Sequence, residues 1–146
     1  MRKSSSLRGI VRLNGIRLSC GHRLLPPRGY LGITLFGTVW TREPRPAMQA
    51  YLKTPSGQVF LNHERIHLLQ ARALGSWAAF YTLYIWYWLK LFMVTGRSRM
   101  AYRTHPFELE AYLHQHDFSY AHSQWKTYRW PNGRRKAYYA GLGSVL

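Results

Sequence analysis

Acidic residues are almost missing from this chain: 5 Asp and Glu stand against 21 Lys and Arg in 146 residues, a formal charge of +16. Such an imbalance draws a protein toward anionic partners, nucleic acid or a lipid surface, without saying what is done there. It also makes the position of each carboxylate informative. Cysteine is scarcer still, and with Cys20 alone no intrachain disulfide framework forms. The amino-terminal MRKSSSLRGIVRLNG is basic but lacks the apolar segment of a secretory signal, so we expect a cytoplasmic protein, free or membrane-associated. There is no internal repeat and no extended low-complexity tract. Long apolar runs are absent too. The uncharged stretch from Ser76 to Leu89 ends at Lys90, short of the about 20 residues a bilayer-spanning helix needs. We therefore read residues 77–94 as a buried core helix, while noting that its Trp and Tyr and its basic flank would also suit a membrane interface.

With 47% hydrophobic residues the chain has enough apolar material for one modest core. Residues 1–28 read as a basic, poorly structured arm, 29–130 as the folded domain and 131–146 as a basic flexible tail. Residues 30–40, YLGITLFGTVW, are rich in β-branched and aromatic types and read as a strand, broken by TREPRP. TPSG is expected to turn the chain into a short strand, QVFL, after which a helix starts with Asn62 as its N-cap.

That helix carries the sequence NHERIHLLQ. On a helix of about 3.6 residues per turn, His63 and His67 stand one above the other, and both imidazoles can reach one metal ion. Glu64 is rotated by about 100° from His63, out of line for a ligand but placed to act as a general base on a water. Gln70 and Leu74 continue the histidine face. Two histidines in a hydrolytic zinc site usually take a carboxylate as third ligand, and THPFELEAYLHQHD, residues 104–117, offers Glu108 and Glu110. Pro106 suits the first turn of a helix. On that helix the two glutamates point about 200° apart, so only one of them can be the ligand. His105 is a competing third ligand. His114, His116 and His122 read as surface residues, Cys20 and His22 as a pair too small for a site, and Glu43 and Asp117 have no comparable setting.

The combination of NHERIHLLQ with FELEAY resembles a group of small bacterial zincin-like proteins. The likeness takes in GYLGITLFGTVW, the aromatic FYTLYIWYWLK, the AYRTHPF lead-in and the region of Trp125, about residues 28–130. More broadly the chain is similar to gluzincins, whose E-x-x-A-D motif falls on Glu108, Ala111 and Tyr112. The resemblance implies an α+β fold, a minimal gluzincin that is mostly helical with a short β-sheet beside the active-site helix. It implies a Zn2+ ion on His63, His67 and Glu108, Glu64 as catalytic base, and a metallopeptidase acting on peptide or protein substrates. Tyr112 departs from the gluzincin pattern, which has an acidic residue there to orient a ligand histidine. As a neutral phenol it could hydrogen-bond an imidazole, donate to an oxyanion, or pack. The competing reading is a basic protein that binds an anionic membrane surface or nucleic acid, in which the H-E-x-x-H helix is structural or inactive.

Overall fold

The computed structural model describes residues 7–129, 133 and 135–140. It is a mixed α+β chain that divides into two compact units, residues 1–65 and 66–146.

The first unit opens with β1 (Gly9–Leu13) and β2 (Ile16–Cys20), an antiparallel hairpin. Its two-residue loop is Asn14-Gly15, both at positive φ (50° and 78°), the combination that a tight hairpin turn requires. Along β2, Ile16, Leu18 and Cys20 are buried while Arg17 faces out. That period of two was masked by the density of arginine, and the expected unstructured arm over 1–28 is corrected accordingly: within it, residues 9–13 and 16–20 are strands. The expected single strand over 30–40 is two strands, β3 (Ile33–Leu35) and β4 (Thr38–Trp40), turned at Phe36-Gly37. Phe36 takes a left-handed conformation there (φ 47°), which costs an L-residue about 1–2 kcal/mol. The sheet order is β1-β2-β4-β3, with β2 and β4 parallel, and β3 lies at an edge.

After the short helix α1 (Arg45–Tyr51), the helix α2 runs unbroken from Pro55 to Ala73. QVFL is therefore helical, and Asn62 lies in mid-helix, where its Oδ1 accepts from Arg65 Nε at 3.0 Å. The true cap is Thr54: its Oγ1 accepts from Gly57 N–H at 3.1 Å and its carbonyl from Gln58 N–H at 3.0 Å. Threonine followed by proline is a helix start, since Pro55 has no N–H to leave unpaired and its φ is already helical. The sequence TPSG, read as a turn, is this cap and first turn.

Gly57 is required by close approach. A Cβ at this position would lie 2.0 Å from the Tyr51 carbonyl oxygen and 2.7 Å from Leu52 Cα. Helix propensity alone would favour Gly57→Ala by about 0.5–1 kcal/mol. The clash is with backbone, so we expect instead a net loss of about 1–3 kcal/mol, seen as a lower urea midpoint at unchanged slope. A stabilised Gly57→Ala variant would show that the α1–α2 corner opens freely.

The second unit holds the carboxyl-terminal part of α2, then α3 (Trp77–Thr95), α4 (Ser98–Arg103), α5 (Pro106–His114) and the antiparallel pair β5 (Trp125–Arg129) and β6 (Arg135–Tyr139). Ser76 caps α3 by accepting from Ala79 N–H, and Gly96 ends it in the left-handed conformation, φ 63°. The core is Ala71, Leu74, Phe80, Phe107 and Trp125, with the Phe107 and Trp125 ring centroids 4.2 Å apart. β6 lies within the expected flexible tail, which is corrected over 135–139; residues 131, 132, 134 and 141–146 of that tail, like 1–6 of the arm, lie outside the described residues. The helix expected to be buried over 77–94 is only half so: Phe80 is buried, and the opposite side is exposed. Among the described residues no helix is long and apolar enough to cross a membrane.

Candidate metal centre

Helix α2 presents His63, Glu64, His67, Gln70 and Leu74, all buried. On α5, Pro106 occupies the first turn, and Glu108 and Glu110, both buried, leave the helix in different directions, as the spacing predicts. His67 Nε2 lies 3.5 Å from Glu108 Oε1. His63, His67 and Glu108 each offer a ligand atom, and these atoms lie within 4.8 Å of one another, so the three could hold a metal ion. Two imidazoles and a carboxylate form a donor set that suits a divalent transition metal, and three protein ligands leave a coordination position open.

The orientation of His67 can be read from its neighbour. Gln70 Nε2 donates to the Phe107 carbonyl at 2.9 Å and to Glu110 Oε2 at 2.8 Å, partners that can only accept. The amide is thereby fixed with Oε1 toward His67, and His67 Nδ1 must carry the proton it donates to Gln70 at 2.8 Å. Its Nε2 is then the atom that could ligate a metal. A second group that fixes the tautomer and aim of a ligand imidazole is what metal sites generally need.

Glu110, excluded as a ligand by its direction, anchors this arrangement. Besides Gln70 it accepts from Tyr120 Oη at 2.6 Å, Gln124 N–H at 2.7 Å and Ser123 Oγ at 2.9 Å. A buried carboxylate is tolerable when its lone pairs are filled in this way. Burial and then the bond to Glu110 push the Tyr120 hydroxyl above its ordinary range, so it stays a donor; burial and the same carboxylate push Tyr139 up to about 12.

Glu108 is held by phenols. Tyr84, on α3, donates to Glu108 Oε1 at 2.8 Å, and Tyr102, on α4, hydrogen-bonds both Glu108 and Tyr112. Burial first, and then the Glu108 charge, raise Tyr102 far above the ordinary phenol range. In the first unit, Thr34 Oγ1, on β3, donates to Glu64 Oε2.

Of the residues expected from sequence, His63, His67 and Glu108 come together, Glu64 sits beside them on the same helix, and Gln70 has the supporting place. His105 does not join them. Its Nδ1 accepts from Phe107 N–H at 3.2 Å, capping α5, and its Nε2 must then donate to the Tyr84 carbonyl at 2.9 Å. Both nitrogens are committed, and burial lowers its pKa, so it is a neutral structural cap rather than a third ligand. Tyr112 is 45% exposed and hydrogen-bonded to Tyr102. Glu110, rather than a residue at position 112, is connected to His67, through Gln70. Thr34, Tyr84 and Tyr102 were not legible as site residues; each belongs to another element, and no spacing links them to the motif. Ser19 Oγ and His22 Nε2 hydrogen-bond at 2.7 Å and Cys20 is a buried free thiol, its pKa raised by burial. No family model, no curated protein and no solved structure matches this chain.

Proposed function

We propose that this protein is a zinc-dependent metallopeptidase of the minimal gluzincin type. The observation that carries the reading is the convergence of His63, His67 and Glu108 next to a glutamate, Glu64, whose carboxylate is fixed by Thr34. Zinc bound by the three would activate water at neutral pH and polarise a peptide carbonyl. Gln70 keeps the His67 proton on Nδ1 and its Nε2 lone pair outward. Tyr84 and Tyr102 hold the Glu108 carboxylate in its ligating orientation. Thr34 occupies Glu64 Oε2, which leaves Oε1 to take the proton of the attacking water and return it to the departing amine. The edge position of one strand supports the reading as well. β3, which carries Thr34, is an edge strand, and a peptide backbone can add to such an edge by main-chain hydrogen bonds.

The test is Glu64→Gln beside wild type, with zinc content and cleavage of a mixed fluorogenic peptide pool as paired readouts. Zinc should be retained and turnover should fall by on the order of 10²–10⁴, the usual contribution of a general base. Full turnover in this variant would reject the role of Glu64, and lost zinc would make Glu64 a ligand instead.

A further inference from the structure

Helix α3 is apolar on both sides, but the core uses only one. Phe80, Tyr84 and Tyr87 pack inward. On the other side Ala78, Thr82, Ile85, Trp86, Leu89 and Met93 share one face at helical spacing, all of them exposed. Ile85 is 56%, Trp86 58%, Leu89 44% and Met93 75% exposed, and a shallow groove runs among Thr82, Leu83, Ile85, Trp86 and Leu89. A contiguous row of this kind marks a surface that meets something apolar.

Charge decides what that is. Three of the five acidic residues, Glu64, Glu108 and Glu110, are buried, which leaves Glu43 and Asp117 as the exposed acids of a chain with 21 Lys and Arg. The apolar row is bordered by cations: Lys90 lies at its edge, and Arg97, Arg99 and Arg103 are exposed where α4 follows α3. A second copy of a +16 chain would bring like charge against like. Nucleic acid would match the charge but not a row that is mainly aliphatic, in which Trp86 is the one ring for bases to stack on. An anionic bilayer matches both, since its interface accepts Trp and aliphatic side chains while its headgroups attract Lys and Arg.

We infer that the outer face of α3 docks the protein in the plane of an anionic membrane surface, with Ile85, Trp86, Leu89 and Met93 entering the headgroup boundary and Lys90, Arg97, Arg99 and Arg103 meeting lipid phosphates or carboxylates. The helix lies on the bilayer and does not cross it, in keeping with its length and composition. Tyr84, on the inward side of the same helix, holds Glu108, so docking sets the His67–Glu108 pair about one helix diameter, roughly 10 Å, from the lipid. The docking inference stands on exposure and charge and does not depend on the peptidase reading.

The experiment is flotation of the full chain with vesicles of phosphatidylcholine alone or with about one-third phosphatidylserine, at low and high salt. Wild type should float with the anionic vesicles, and high salt should weaken binding. Ile85→Ser/Trp86→Ser/Leu89→Ser should bind at least about tenfold more weakly with unchanged circular dichroism, because the replaced side chains touch solvent. Arg97→Gln/Arg99→Gln/Arg103→Gln should reduce the preference for phosphatidylserine. The inference is overturned if wild type fails to float, if the triple serine variant floats as well as wild type, or if wild type sediments as a dimer that the serine variant dissociates.

Discussion

Glu108→Ala is expected to lose zinc, whereas Glu110→Gln, two residues away on the same helix, keeps all three ligands and binds it only about 10–100-fold more weakly. Structural zinc sites bind by about 10–16 kcal/mol over four ligands, or about 2.5–4 kcal/mol each. One lost ligand therefore weakens binding by on the order of a hundred- to a thousandfold. Dialysis against a weak chelator followed by metal analysis separates the two variants: one zinc per chain in wild type and close to none in Glu108→Ala. The fold should survive that change, since Tyr84 is partly buried and its freed hydroxyl can find water. Retention of one zinc per chain in Glu108→Ala would remove the third ligand from the scheme, and with it the gluzincin reading.

The second large effect concerns stability. Glu110→Ala should cost about 3–5 kcal/mol, the range for removing one partner from a buried, charge-assisted network. The reason is the number of donors it strands: Gln70 Nε2, Tyr120 Oη, Ser123 Oγ and Gln124 N–H all point at this carboxylate. The segment they tie down leads directly into Trp125, a core residue whose ring rests on Phe107. Domains of this size have about 5–15 kcal/mol to lose, so the shift in urea midpoint should be unmistakable. Glu110→Gln keeps the shape and part of the acceptor capacity and should cost less. It should still weaken zinc about 10–100-fold, because Gln70 loses the charged anchor that sets its amide and through it the His67 proton. A Glu110→Ala midpoint close to wild type would mean that water replaces the carboxylate, and that the 120–124 segment is not held by it.

The two variants together dissect a pair of glutamates that composition alone could not tell apart. Both are rare acids in a cationic chain, and both are buried. Helical geometry separated their directions; what each direction meets depended on the elements packed around α5. A stretch of sequence cannot say that the outward neighbour of Glu110 is the 120–124 segment, or that a phenol from α3 reaches Glu108.

The parts of this protein that the sequence determined are those governed by local geometry. His63, His67 and Gln70 share a face because 3.6 residues make a turn, and Pro106 opens α5 because it has no N–H to waste. Asn14-Gly15 and Thr54-Pro55 were equally local signals, one for a hairpin and one for a helix start. They were overshadowed by arginine density in the first case and by an apparent turn in the second. Tertiary structure alone decided the rest. It spent both nitrogens of His105 on backbone groups, linked Glu110 to His67 through Gln70, and covered only one side of α3. The physical reason is the same in each case: a side chain's donors, acceptors and apolar surface are local properties, but the groups that satisfy them are brought up by distant segments.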